Sequence, residues 1–137
     1  MLENPKVNIK LKLAALWAST TFCYIYGDYF ELYTPGKLDS LLIGKNILDN
    51  PVKLLVASII LVVPSVMVAA SVLLPPKVNR TMNIIFGAVF TIMMLFIGIN
   101  SLTEWYSFYV FLAFVESILT FLIVLYAIKW PKPKDNG

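Results

Sequence analysis

The chain predicts an all-α, polytopic membrane protein: four transmembrane helices in an antiparallel up-down bundle, forming a single membrane domain over residues 1–137. Three observations point there. The composition is 59% hydrophobic and only 14% charged, far from that of a soluble globular domain. Residues 54–74 and 81–103 carry no charge, and 105–128 is interrupted only by Glu116. Each of these runs is long enough, at about 1.5 Å per residue, to cross a hydrocarbon core of ~30 Å. Finally, the basic residues sort by segment, as a membrane topology requires.

The first helix is expected over about 11–33, with Asn8 as its cap. Its uncharged run, 13–27, is too short to span, so it must extend through Asp28, Tyr29, Phe30 and Glu31 to Tyr33. A cleavable signal peptide is the competing reading; no small-x-small site follows, and an aromatic, acidic exit is wrong for one.

Residues 34–52 form the long outer loop. It opens on Pro35-Gly36 and closes on Asn50-Pro51, and between them leucines and isoleucines alternate with Lys37, Asp39, Lys45 and Asp49. A short interfacial helix and an irregular loop packed over the bundle mouth both satisfy that pattern, with Gly44 limiting any helix. The second helix, about 53–74, contains Pro64, which leaves the carbonyl of Ile60 without its helical donor. Pro75-Pro76-Lys77-Val78-Asn79-Arg80 reads as a short rigid connection to the third helix, about 81–103. A turn around 101–104 leads to the fourth, about 105–129, which stops at Lys129, Trp130 and Pro131. Such tight connections predict that helices two and three, and three and four, pack as antiparallel neighbours.

With the N-terminus inside, eight of the eleven basic residues fall on the cytoplasmic side: Lys6, Lys10, Lys12, Lys77, Arg80, Lys129, Lys132 and Lys134. Both termini are therefore expected in the cytoplasm. The outer side collects Asp28, Glu31, Asp39, Asp49 and Glu104 against Lys37, Lys45 and Lys53. The net charge of +3 thus reflects topology; the lysines and arginine occupy separate segments rather than one face, and no nucleic-acid partner is expected.

No histidine is present, which excludes imidazole haem ligation, histidine-containing zinc sites and a Ser-His-Asp hydrolase. Cys23 is the only cysteine, so no intrachain disulfide forms. Neither a metal nor a cofactor is expected.

Glu116 is the leading site candidate. At about 1.5 Å per residue it lies near the bilayer centre, where an ionised carboxylate costs about 2.5–3.5 kcal/mol, and no basic residue sits at its depth. Its neutral, protonated form is expected at rest, facing the bundle interior with Tyr109 and Thr120 on the same face. The alternative is that it merely joins helices through a hydrogen bond. In the first helix Trp17, Thr21, Tyr24, Asp28 and Glu31 recur at helical spacing and form a polar stripe expected to face inward. Asp28 and Glu31 lie one turn apart, so a cation between them would relieve their repulsion. With Glu104 and the rings of Tyr26, Tyr29, Tyr33, Trp105 and Tyr106 they predict an acidic, aromatic-walled mouth suited to an organic cation. Asn83, Gly87, Thr91 and Gly98 form a small or polar seam on helix three, read first as internal packing and second as a homo-oligomer contact.

Leu16-Trp17, Gly27-Asp28, Pro35-Gly36, Val78-Asn79-Arg80 with Asn83-Ile84-Ile85 and Gly87, and then Glu116, occur in the order that resembles a family of small four-helix bacterial integral membrane proteins, a domain of unknown function. That resemblance implies the architecture and a bacterial cytoplasmic (inner) membrane location, and no activity. Small multidrug exporters also have four helices and a glutamate, but theirs is in the first helix. Asn79-Arg80 with Asn83 is similar to the arginine and asparagine pattern of membrane glutathione-binding enzymes, but stands at the start of helix three with few other basic residues.

The expected function is to bind or conduct a small cationic or lipid-like ligand through Glu116, Asp28, Glu31, Glu104, Tyr24, Tyr109 and Trp17. Two alternatives stand beside it. One is a small membrane enzyme, of lipid-isomerase type, with Glu116 as general acid or base and Tyr24 or Tyr109 as hydroxyl partner. The other is a structural or regulatory membrane subunit.

Overall fold

The computed structural model describes residues 1–133, and among them it is all-helical, without a β-strand. Lys134, counted above among the cytoplasmic basic residues, lies outside them. The elements are α1 (Ile9–Glu31), α2 (Lys37–Leu42), α3 (Pro51–Leu73), α4 (Pro76–Asn100), a 3-10 turn (Glu104–Tyr106) and α5 (Ser107–Ile128).

Local chemistry sets the ends. Asn8 accepts from Lys10 N–H at 2.8 Å and caps α1; Asn50 accepts from Lys53 N–H at 2.9 Å, with Pro51 in the first turn of α3. The long loop after α1 contains a single six-residue helix, α2, bracketed by Gly36 and Gly44 at φ 77° and 74°, a backbone conformation that favours glycine. The segment read as a connection before α4 is instead mostly helix. Pro76 starts α4 because a proline ring suits the first turn, and Leu74, held extended before Pro75, ends α3. Lys77, Asn79 and Arg80 consequently become helical, and α4 begins five residues before the expected 81.

The helices α3, α4 and the stretch Glu104–Ile128 are long and apolar enough to cross a membrane. α1 is not among them: Ser19, Thr20, Thr21, Asp28 and Glu31 dilute its hydropathy, although its 23 residues give sufficient length.

Packing departs from the order of the chain. α5 lies against α4 and α1, and α1 lies against α3. The expected close pairing of α3 with α4 does not form; beyond their junction they have little contact. At the terminal end of the molecule, where the N-terminus, the α3–α4 junction and the end of α5 meet, Leu13, Trp17, Met67, Phe90, Ile123 and Ala127 make a buried core. Trp17 meets Phe90 edge-on with ring centroids 6.1 Å apart. The buried residues of α3 are Pro64, Met67 and Ser71, all in its second half. Toward the opposite, loop end, that helix stands away from α4.

The small seam of α4 packs within the molecule. A Cβ on Gly87 would come within 2.8 Å of Val124 Cγ2 and 3.3 Å of the Thr120 carbonyl, so glycine allows α4 and α5 to approach closely. Thr91 donates to Thr120 Oγ1 at 2.7 Å along the same seam.

Candidate functional site

The space between the separated helices is a cavity of about 580 Å³. It runs from the long loop after α1 to the middle of α5. Tyr24, Asp28 and Glu31 of α1 line one side, and Tyr109 and Glu116 of α5 another. Ala57, Ile60 and Leu61 of α3 face Met93, Met94 and Ile97 of α4 across it. Leu41, Asn46, Ile47 and Leu48 line its loop end. A mostly apolar space of this volume with a few convergent polar groups falls within the ordinary range for ligand sites, about 300–1,000 Å³.

Helical periodicity positions the polar lining. Tyr24, Asp28 and Glu31 follow at four and three residues, so one face of α1 presents all three. Tyr109 and Glu116 are two turns apart on α5. Gly27 of α1 is buried where that helix meets α5, and a Cβ there would make ordinary contact, at 3.6–3.7 Å, with Leu112 and Tyr109.

Among the described residues only Glu31 of these groups has a polar side-chain partner; Tyr24, Asp28, Tyr109 and Glu116 have none. Glu116 is 4% exposed, and its carboxylate makes no hydrogen bond or ion pair with any described residue. Tyr24 Oη is buried without a hydrogen-bond partner. Leaving a buried donor unsatisfied costs about 1–3 kcal/mol, so a group of this kind calls for a partner such as a water or a ligand.

The remaining acids divide. Glu31 accepts from Tyr106 Oη at 3.2 Å and pairs with Lys37 Nζ at 3.0 Å. The cation that relieves the Asp28–Glu31 repulsion is thus a lysine of this chain, supplied by α2. Lys37 also lines the cavity. The loop position of Lys37 gave no signal of this; its only hint was being the first cation after the two acids.

Five of the seven expected residues, Glu116, Asp28, Glu31, Tyr24 and Tyr109, therefore share one cavity. Two do not. Glu104 is exposed and lines a separate groove with Thr34, Lys37, Ser40 and Tyr106, because the 3-10 turn carries it outside the helical bundle. Trp17 is fully buried in the terminal core, where its Nε1–H donates to Asn83 Oδ1 at 2.7 Å. Thr120, expected beside the Glu116 carboxylate, turns toward α4 and bonds with Thr91 and the Glu116 carbonyl.

A second polar cluster was only partly foreseen. Asn79, Asn83 and Ser71 are fully buried at the terminal end. Asn83 accepts from Trp17 and from Ser71 Oγ at 3.3 Å and donates to Asn79 Oδ1 at 2.7 Å; Asn79 donates to the Ser71 carbonyl at 2.7 Å. Every member is satisfied within the network. Arg80 turns outward and donates to the last carbonyls of α5, at 3.0 Å to Ala127 and 3.4 Å to Ile128. The residues similar to a glutathione-binding pattern are thus engaged in holding helices together. Among the described residues no group of His, Cys, Asp and Glu side chains is clustered closely enough to hold a metal ion.

Residues 3–136 match the model of a family of unknown function (DUF6326). The chain belongs to that family. No curated protein and no solved structure matches it. Membership agrees with the sequence resemblance and assigns no activity.

Proposed function

We propose that this DUF6326 protein is a four-span bundle of the bacterial cytoplasmic membrane, acting as one domain, whose cavity binds a small amphipathic organic cation. The fourth span is α1. Its polar face lines the cavity and its remaining surface, including Phe22, Ile25, Tyr26 and Tyr29, is exposed for lipid. The loop end is the outer side and both termini are cytoplasmic, in keeping with the basic residues at the terminal end. Tyr26, Tyr29, Tyr33 and Trp105 at one end and Tyr126 and Trp130 at the other then stand where interfacial aromatic belts belong.

The observation that carries the reading is the carboxylate of Glu116, a residue only 4% exposed, without a partner among the described residues and lining a cavity that also holds Asp28 and Glu31 against one lysine. An ammonium or phosphonium ion would satisfy the charge, and the rings of Tyr24 and Tyr109 would face it. The carboxylates are spread along apolar walls rather than gathered, which suits an organic ion better than a metal. The packed core at the terminal end favours binding over open conduction.

The test is titration of tetraphenylphosphonium into the full chain in lipid nanodiscs. Saturable binding is expected, weakened at least about tenfold by Glu116→Gln, a difference of roughly 1.4 kcal/mol. Equal binding by the variant, with its fold intact, would overturn the assignment.

A further inference from the structure

We propose that the ligand enters from the lipid, through the cleft between the loop-end halves of α3 and α4, and that it is a single-chain amphiphile whose cationic headgroup docks at Glu116 while its tail lies in the cleft. This inference rests on the cation-binding reading above and adds a route and a substrate class to it.

The two helices are joined by the shortest of links, yet they have little contact away from their junction. Their junction is held shut by the Ser71–Asn79–Asn83 bonds, so the separation opens toward the loop end. Ile60 and Leu61 line the cavity from α3 and retain exposed surface, so the wall they form is not closed over by a neighbouring helix. Ala57, a small residue one turn before Leu61, and Met93 and Ile97 across from them complete its edges. All are apolar. A water-borne ion gains nothing from such a passage, whereas a hydrocarbon tail occupies it at little cost, since the walls resemble the lipid it leaves.

The loop end, in contrast, is tied across: the Lys37–Glu31 ion pair joins the start of α2 to the end of α1, with Leu41, Ile47 and Leu48 in the cavity lining beside it. A cation approaching from water would pass the Lys37–Glu31 pair and Asp28 before Glu116; one arriving through the cleft would meet Glu116 without passing them. Because the tail is exchanged between similar surroundings, selectivity resides in the headgroup and in the unpartnered polar pair Glu116 and Tyr24.

The experiment measures binding of dodecyltrimethylammonium and of tetramethylammonium to the full chain in nanodiscs, corrected for partition into protein-free discs. The parent and Ala57→Trp, Ile60→Trp and Val62→Trp are compared, each first checked for an unchanged thermal transition; Val62 lies on α3 outside the cavity lining. Saturable binding of the long-chain ion is expected, weakened or slowed about tenfold by filling the cleft at Ala57 or Ile60 and little changed at Val62. Ile60→Trp serves if Ala57→Trp does not fold. Tetramethylammonium binding as tightly as the long-chain ion, or indifference of the long-chain ion to both cleft variants, overturns lateral entry and leaves the cation site standing. If neither ammonium nor tetraphenylphosphonium binds, the cation site itself falls.

Discussion

The two halves of this molecule handle buried polar groups in opposite ways. At the terminal end, Trp17, Ser71, Asn79 and Asn83 bind one another, and apolar side chains close around them. Along the cavity, Glu116, 4% exposed, and the buried hydroxyl of the half-buried Tyr24 bond to nothing among the described residues, and open space lies between them and the facing helices. Burial of a polar group is common to both. The difference lies in satisfaction: a closed network spends its hydrogen bonds on joining helices, whereas the groups along the cavity keep theirs unspent within the protein, as the proposed cation site requires. A polar residue within a membrane segment is thus helix-joining or site-forming according to its partners.

Mutations that move one half and spare the other sharpen this contrast. The largest effect on stability is expected from Asn83→Leu, which orphans Trp17 Nε1, Ser71 Oγ and Asn79 Oδ1 at once; a loss of about 2–3 kcal/mol should appear in detergent or denaturant unfolding, with cation affinity of the folded protein retained. If Asn83→Leu were instead neutral, the terminal network would not be the clasp described here. Gly87→Ala comes next. Its Cβ must displace Val124 Cγ2 from 2.8 Å, so roughly 1–2 kcal/mol of destabilisation is expected by the same measurement.

Glu116→Gln and Tyr24→Phe should behave in reverse. Neither removes a bond within the protein, so unfolding should be unchanged or slightly resisted, while tetraphenylphosphonium affinity falls, by at least about tenfold for Glu116 and severalfold for Tyr24. A clear loss of stability in Tyr24→Phe would mean that its hydroxyl has a partner within the bundle. The smallest effect is expected from Thr91→Val, which removes one interhelical hydroxyl bond worth about 0.6 kcal/mol in a membrane bundle and lies away from the cavity lining.

Much of the helical frame was legible in the sequence because its signals are local. The cap at Asn8, the breaks at Pro35-Gly36, Gly44 and Asn50-Pro51, and the uncharged runs all act through neighbouring residues. Pro75-Pro76 was misread because proline both ends one helix and starts the next, and only the second proline belonged to α4. Of the site, the stripe Tyr24-Asp28-Glu31 and the pair Tyr109-Glu116 were legible because each lies on one helix at helical spacing. Trp17 falls on the same stripe by spacing and still belongs to the other half, since its depth along α1 places it opposite Asn83 rather than the cavity. Glu104 was grouped with the mouth by sequence position, but the 3-10 turn swings it aside.

By itself, then, the sequence determined that the chain is helical and apolar, which residues share a helix face, and that one acid is stranded among hydrophobic neighbours. Those properties follow from residue-to-residue spacing and the cost of unpaired charge in a low-dielectric medium. Tertiary structure alone decided that α3 leans on α1 instead of α4, that a cavity opens between them, and that Lys37 rather than a ligand answers Glu31. These outcomes depend on how separate helices pack and which distant side chains meet, and no spacing along a single helix encodes either.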